Sequence, residues 1–432
     1  MFDIFKERLK TDMVSMRWPA SKKVEDVDLL KKSLFYDENQ FDNIKTAYLH
    51  IPYCSRICTF CGFMKAPGSE NMVRDYLKSV DKELLSFKNN PYVKSGNFKS
   101  LFLGGGSPSL IPTDSMNELF GRLKDVLSLD EKSEISVECA IHDLDEEKIL
   151  AMKNAGVNRI SFGVQTFDTV KRRELGRISD EKKVIELIKY TKSIGIVVSV
   201  DLLCNLPGQS VEDFEVDLQK AFEIGVEGIS AYVLSVMRNT PLKIMIDSSN
   251  VSPLPDQTIQ LKQSLRAIEL SKVNGYRHET ITHFSKDLDR NLYGSLRYEG
   301  ADTLAIGAGA GGNIGDFIYA NPMSQGMYEM MSGRINKGLA IGGYEITSDE
   351  KPYKQAIGFL NRGLLEMNKL EITDIDEFYR LFGTAISSGL KNDLLFKVTD
   401  EFYKMTKAGY IWANNLIHSF ALPILKKKGI VS

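Results

Sequence analysis

The chain has 432 residues, 43% of them hydrophobic, enough for one large α/β domain with a small appendage and a sizeable core. Its 55 basic and 57 acidic residues nearly cancel, so overall charge gives no case for a nucleic-acid partner, and small molecules are the expected ligands. Charges interleave from Met1 to Arg8 where a signal peptide needs an apolar core, and the longest apolar run, Ile194 to Val200, is stopped by Asp201. A cytoplasmic protein with no membrane span is expected.

Residues 1–45 are charged and weakly periodic and read as a helical lead-in. From Thr46 the pattern becomes strand then helix, repeated. The predicted strands are Thr46 to Ile51, Ser100 to Leu103, Ile135 to Cys139, Arg159 to Phe162, Val197 to Leu203 and Gly228 to Leu234, separated by amphipathic stretches such as Tyr76 to Lys88 and Asp180 to Ser193. Such alternation gives a parallel sheet. Six units are too few for a closed eight-stranded barrel, so an open three-quarter barrel is expected, with its site at the carboxyl ends of the strands.

Beyond these units, Thr258 to Val273 reads as an amphipathic helix and Tyr276 to Phe284 alternates like one strand, with His278 and His283 on opposite faces. The glycine-rich Ile306 to Gly312 follows a strand-like Ala301 to Ala305; it could approach a ligand or be a packed turn. The barrel and its extension are assigned to 46–349. Residues 350–432 read as helices (Tyr353 to Leu364, Ile375 to Phe382, Ile386 to Asn392) and short strands (Phe396 to Val398, Tyr410 to Ala413), a small, mainly helical, winged-helix-like end. Its basic residues are interleaved with acids such as Glu366, Glu371 and Asp374, which argues against nucleic-acid binding.

Three of the five cysteines, Cys54, Cys58 and Cys61, fall at spacings of four and three just after the first strand. Thiolates crowd this way to converge on a soft metal centre, and a C-x3-C-x2-C loop can wrap three corners of a 4Fe-4S cube. Three ligands leave one iron open, which marks chemistry rather than electron storage. A zinc knuckle would need a second C-x2-C or paired histidines, and a disulfide framework does not suit a chain without a signal peptide. Cys139 and Cys204 sit on predicted strands, where a free cysteine usually behaves as a small hydrophobe.

Polar residues gather at the predicted strand ends. Gly104-Gly105-Gly106-Ser107 follows Leu103, Glu138 ends the third strand, Gln165 lies just beyond the fourth, and Asp201 interrupts an apolar strand, where an unpaired charge would cost several kcal/mol. Asp201 therefore needs a partner.

Tyr48-Leu49-His50-Ile51-Pro52-Tyr53-Cys54 with the cysteine loop, and the run Gly156 to Asp168, resemble the radical S-adenosylmethionine (SAM) superfamily, in the branch of oxygen-independent coproporphyrinogen III oxidase, the related haem chaperones and the anaerobilin synthases. The resemblance implies a partial (β/α)6 barrel of the α/β class with a capping C-terminal domain, a 4Fe-4S cluster on Cys54, Cys58 and Cys61, and two SAM molecules. It assigns Tyr48, Gly105 and Glu138 to one SAM and Phe60, Gly106, Ser107, Gln165, Arg177 and Asp201 to the other. Ser107 replaces the usual threonine, and Ser235 and Gly311 align with two further contacts although their side chains depart from the pattern.

Within the branch, coproporphyrinogen oxidase continues its motif as Cys-x-Cys, whereas Phe63 stands here; the chaperones read Cys-Asp-Phe and carry a downstream His-Asn-x-x-Tyr-Trp, absent here. Cys61-Gly62-Phe63 looks like the anaerobilin synthases, haem-degrading methyltransferases in which a SAM-derived radical leads to methyl transfer, ring opening and iron release. The implied partners are haem or a related tetrapyrrole and a flavodoxin-like or other low-potential electron donor. Coproporphyrinogen oxidation and non-catalytic haem carriage are the alternatives. Haem iron favours an axial imidazole or a nearby proton donor. Of the five histidines, His278, flanked by Arg277 and Glu279, is the expected candidate, with His283 next.

Overall fold

The computed structural model describes residues 7–9, 22–24, 37–332 and 343–431, so most of the lead-in expected over 1–45 lies outside the described residues. Six strands, β1 (Lys45–Ile51), β2 (Phe98–Gly105), β3 (Glu134–Cys139), β4 (Arg159–Gln165), β5 (Val197–Cys204) and β6 (Gly228–Val233), lie side by side in chain order, each parallel to the next. They are the six strands expected from sequence. Each sets aliphatic or aromatic side chains among a few polar positions, because strands of a helix-covered parallel sheet are buried on both faces; β4 is buried from end to end.

Helices cover the sheet, and three of them carry a side-chain cap where they start. Helix α1 (Glu70–Phe87), α2 (Thr113–Leu127) and α3 (Glu146–Ala155) pack against one another behind β1 to β3, and Asp145 caps α3 by accepting from Lys148 N. Asp180 caps α4 (Glu181–Ser193), and Ser210 with Asp213 forms a capping box at α5 (Val211–Ile224). Each such cap satisfies an otherwise orphaned N–H, at about 1 kcal/mol.

After α6 (Gln257–Val273), the stretch Tyr276 to Phe284 is a hairpin rather than one strand: β7 (Arg277–His278) pairs antiparallel with β8 (His283–Ser285), and β8 pairs antiparallel with β6. The reversal is made at Glu279 and Thr280, whose amides both donate to His283 O. Helix α7 (Leu292–Tyr298) then leads to β9 (Asp302–Ile306), which lies parallel to β1 on its free side. The barrel wall thus continues past β1 through β10 (Gly311–Ile314), β11 (Phe317–Ala320) and β12 (Gly343–Glu345), with Lys22–Val24 at the edge.

The loop Gly307 to Ala310 is a packed turn. Gly307 N donates to Glu83 at 2.8 Å and Ala308 N to the Tyr76 hydroxyl at 2.8 Å, and a Cβ on Gly307, whose φ is +92°, would meet that hydroxyl at 2.5 Å.

A second core forms around α8 (Lys351–Asn361), α9 (Ile375–Lys391) and α10 (Ala413–Lys427), with a three-stranded antiparallel sheet of β13 (Leu364–Glu366), β14 (Leu395–Thr399) and β15 (Phe402–Met405). Two expectations fail here. Ile375 to Asn392 is one helix, since Gly383 leaves its apolar stripe intact, and Tyr410 to Ala413 is helical, not strand. This core meets the barrel at the β7–β8 hairpin, where Ile281 N donates to Asn361 O and Arg362 pairs with Glu279. Arg8 also joins the units: its guanidinium reaches Ser264 on α6 at 2.9 Å, while the neighbouring Glu7 and Leu9 bond Asn415 on α10.

Candidate active site

The cysteine loop leaves β1 at the mouth of the barrel. Its start, Tyr53–Cys54, pairs with Ala66–Pro67, and it is pinned by Thr59 N donating to Leu175 O, Leu242 N to Thr59 O and the Lys65 ammonium to Cys61 O at 2.7 Å. Cys54 is buried, with Cys58 and Cys61 half-buried. Burial, and then the Cys58 and Cys61 thiols facing it, pushes the Cys54 thiol up to about 12. Three thiols gathered on one loop suit a centre whose iron replaces their protons. Among the described residues no three His, Cys, Asp or Glu side chains come together around a single metal ion. Cys139 and Cys204 are buried in β3 and β5.

The glycine stretch ending β2 lies flat against this loop. Gly106 N donates to Ile51 O and Ser107 N to Tyr53 O, both at 2.7 Å, and a Cβ on Gly106 would meet Tyr53 O at 2.5 Å. Gly105 has φ +112°, and a Cβ there would enter the His50 ring. Only glycine permits so close a stack of backbone on backbone. His50 is held between the Tyr48 hydroxyl, 3.0 Å from Nδ1, and Met64 O, 3.2 Å from Nε2.

Across the mouth, Glu138 and Asp201 face each other. Burial, reinforced by Asp201 and partly offset by Arg177, raises Glu138 to about 7. Burial also raises Asp201, against hydroxyl bonds from Ser230 and from Ser161 at 3.2 Å and the nearby Arg159 and His283. The partners demanded by a carboxylate in an apolar strand are therefore two serines. Gln165 ends β4 at φ +69°, where the ladder with β5 shifts register, and its side chain shares with Arg177 the space over Gly163. The Arg177 guanidinium lies 5.9 Å from the Phe60 ring centre, and its Nε and Nη1 are buried without a hydrogen-bond partner. A buried unsatisfied guanidinium is costly unless an anionic group fills the gap, so Arg177 fits a ligand carboxylate.

These groups border a cavity of about 470 Å³ lined by Phe60, Glu138, Gln165, Asp201 and Ser235. One side is aromatic: Phe102 stacks on Tyr293 at 4.7 Å, and Tyr48 on both. The lining acids are Glu138 and Asp201; the one arginine or lysine among the described lining residues, Arg159, is taken by Asp289 at 2.7 Å.

The two histidines separate. His283 lines the cavity, whereas His278 lies between the rings of Phe284 and Tyr410 at 4.5 and 3.7 Å, at the junction with the C-terminal core; burial lowers it to about 4. His278 is thus misplaced for a ligand of the cavity, because the chain reverses between it and His283. Gly311 is exposed at the start of β10 and does not line the cavity. Sequence reading missed Arg159, Asp289, Ser230, Tyr293 and Met237. Only the charge of Arg159 inside a predicted strand signalled one of them.

A sequence model of the Radical SAM superfamily matches residues 48–221. The chain is similar to the anaerobilin synthase of Escherichia coli, 32% identical over 381 residues that cover 87% of this chain and 83% of that one. It is also similar to the heme chaperone HemW of Lactococcus lactis, 25% identical over 87% of this chain and 97% of that protein. Among solved structures, coproporphyrinogen III oxidase (HemN) from Escherichia coli superposes with a TM-score of 0.75 at 19% identity, covering 93% of this chain and 99% of that one, a likeness of fold. No helix among the described residues is long and apolar enough to cross a membrane.

Proposed function

The chain belongs to the radical SAM superfamily, in the coproporphyrinogen III oxidase-like branch that includes the anaerobilin synthases, and on that premise we propose that it opens the haem macrocycle without oxygen, transferring a methyl group and releasing iron. The family's cofactors are a 4Fe-4S cluster and SAM; when bound they supply one-electron chemistry and the methyl group.

The residues of the chain bind and orient. Cys54, Cys58 and Cys61 would hold the cluster. Tyr48, Gly105 and Glu138 would seat one SAM, and Phe60, Gly106, Ser107, Gln165, Arg177 and Asp201 a second, with Arg177 taking a carboxylate on its two unpartnered nitrogens. Glu138 and Asp201 suit ribose hydroxyls and a sulfonium cation. Ser235, on the cavity wall, is a further contact in this reading; Gly311 is the weakest member of the set.

The observation that carries the choice of substrate is the aromatic wall of Phe102 and Tyr293 in a cavity whose only lining arginine or lysine among the described residues, Arg159, is already paired. The flat apolar face of a tetrapyrrole stacks on such a wall. The coproporphyrinogen alternative brings four carboxylates against the two of haem, and these would face Glu138 and Asp201 with no unpaired arginine or lysine among the described lining residues to meet them. Anaerobic incubation of the reconstituted protein with haem, SAM and reductant tests the reading. Loss of the Soret band supports it, while an intact band would indicate a carrier.

A further inference from the structure

Three adjacent strands set Asp201, Ser230 and His283 in one row, because Asp201 is the register partner of Ser230 and Ser230 that of His283. Paired positions carry their side chains on the same face. Ser230 Oγ lies 3.0 Å from His283 Nδ1 and stands beside the Asp201 carboxylate, whose ionised form it favours. On its far side, His283 Nε2 is 2.9 Å from Asp289 Oδ2, and Asp289 accepts from Arg159 Nε at 2.7 Å and Nη2 at 3.3 Å. Ser230, His283, Asp289 and Arg159 are all buried, and Gly228 makes room for the carboxylate: a Cβ there would stand 1.8 Å from Asp289 Oδ2. Asp201, Ser230, His283 and Arg159 all line the cavity, and Asp201 ends the row.

Proton counting restricts the chain to two arrangements. Burial works to raise Asp289, yet Arg159 and His283 hold it below the usual carboxylate range, so it is ionised and accepts from Nε2–H. Ser230 has one hydrogen. If that hydrogen points to Nδ1, the ring is neutral and Asp201 must itself be protonated to bond Ser230. If it points to Asp201, the carboxylate is ionised and Nδ1 must donate, so the ring is an imidazolium. Both hold the same number of protons. The hydroxyl of Ser161, which donates to Asp201 Oδ2 at 3.2 Å, and the Asp289 carboxylate on the ring both favour the second.

We propose that Ser230, His283, Asp289 and Arg159 are positioning residues that keep Asp201 ionised and aimed into the cavity, ready to accept the hydroxyl groups of a nucleoside ligand; this rests on the reading of Asp201 given above. With both ring nitrogens engaged, His283 serves Asp201 and is not an axial ligand of haem iron. The other titratable groups around this row are His278 on the hairpin, Glu134 beside Arg159 and Asp289, and Glu138 and Tyr232 beside Asp201.

The test uses the full-length, ligand-free protein labelled with 15N-histidine, with the His283 signal assigned from His283→Gln. Long-range proton–nitrogen spectra across a pH series should show both ring nitrogens of His283 protonated at neutral pH. Asp289→Asn, which keeps an acceptor for Nε2–H but removes its charge, should lower the ring's titration by about one to three units. Ser230→Ala removes one hydroxyl and leaves the Arg159–Asp289 pair intact; it should shift the titration in the same direction and keeps the test open if Asp289→Asn does not fold. A neutral His283 ring at neutral pH in the wild type, or a titration that neither variant moves, overturns the proposal. Absence of a second bound SAM would count against the reading of Asp201, while the ligand-free spectra decide the proton chain by themselves.

Discussion

Gly62 and Met237 touch so closely that a Cβ on Gly62 would stand 2.0 Å from the Met237 sulfur. Met237 lines the cavity and is 45% exposed, so a side chain at position 62 would displace its flexible thioether rather than the backbone. Gly62→Asp, which introduces the chaperone-like residue, should push Met237 off the wall and set a carboxylate beside Cys61. Cluster absorbance is expected to survive, with haem turnover lowered roughly tenfold, about 1.4 kcal/mol in the barrier. Turnover equal to wild type would show that this contact does not shape the site.

The cysteines divide by place. Alanine at Cys54, Cys58 or Cys61 should abolish the cluster's visible absorbance, because three thiols on one pinned loop leave no spare ligand. Cys139→Ala and Cys204→Ala should retain it and cost about 1 kcal/mol of stability, as small buried side chains do. Loss of the cluster in either of these last two, with Cys58→Ala intact, would contradict the assignment.

Two SAM equivalents should bind under anaerobic calorimetry, and Asp201→Asn should weaken the second by about 1.5 to 3 kcal/mol, or tenfold to a hundredfold, because an amide presents one acceptor where the carboxylate presents two. Cluster assembly should be unaffected. A single equivalent in the wild type would remove the second SAM from the account.

Glu83 supplies a stability prediction. It is fully buried, accepts from the Tyr328 hydroxyl, Gly307 N and Asn321 Nδ2, and burial outweighs these bonds to raise it from 4.5 to about 7. An acid with a raised folded pKa contributes stability that is fully present below its unfolded value and lost as pH rises through the folded one. Denaturant unfolding should therefore show a loss on the order of 3 kcal/mol between about pH 4.5 and pH 7 that is missing in Glu83→Gln. Equal pH dependence of the two proteins would refute it.

The parallel strands were legible because burial on both faces writes apolar runs into the chain, and the cysteine loop because its spacing is local. Contacts across strands were not. Arg159 and Asp289 are 130 residues apart, and Asp201, Ser230 and His283 align only through the register of three strands, so no spacing in the sequence brings them together. His278 misled because alternation over Tyr276 to Phe284 hides a reversal made by backbone hydrogen bonds at Glu279 and Thr280. Tyr410 to Ala413 has strand-like composition, but Thr406 caps a helix there by accepting from Gly409 N, which sets the segment's direction before composition matters.

Methyl transfer to haem with opening of its ring leaves a product whose every carbon can be traced. Mass spectrometry of the tetrapyrrole formed anaerobically from haem and methyl-deuterated SAM measures it directly. The expected product is an iron-free linear tetrapyrrole carrying one deuterium-labelled methyl or methylene carbon from SAM. Recovery of intact haem, or conversion of coproporphyrinogen by loss of carbon dioxide without label in the product, would contradict it.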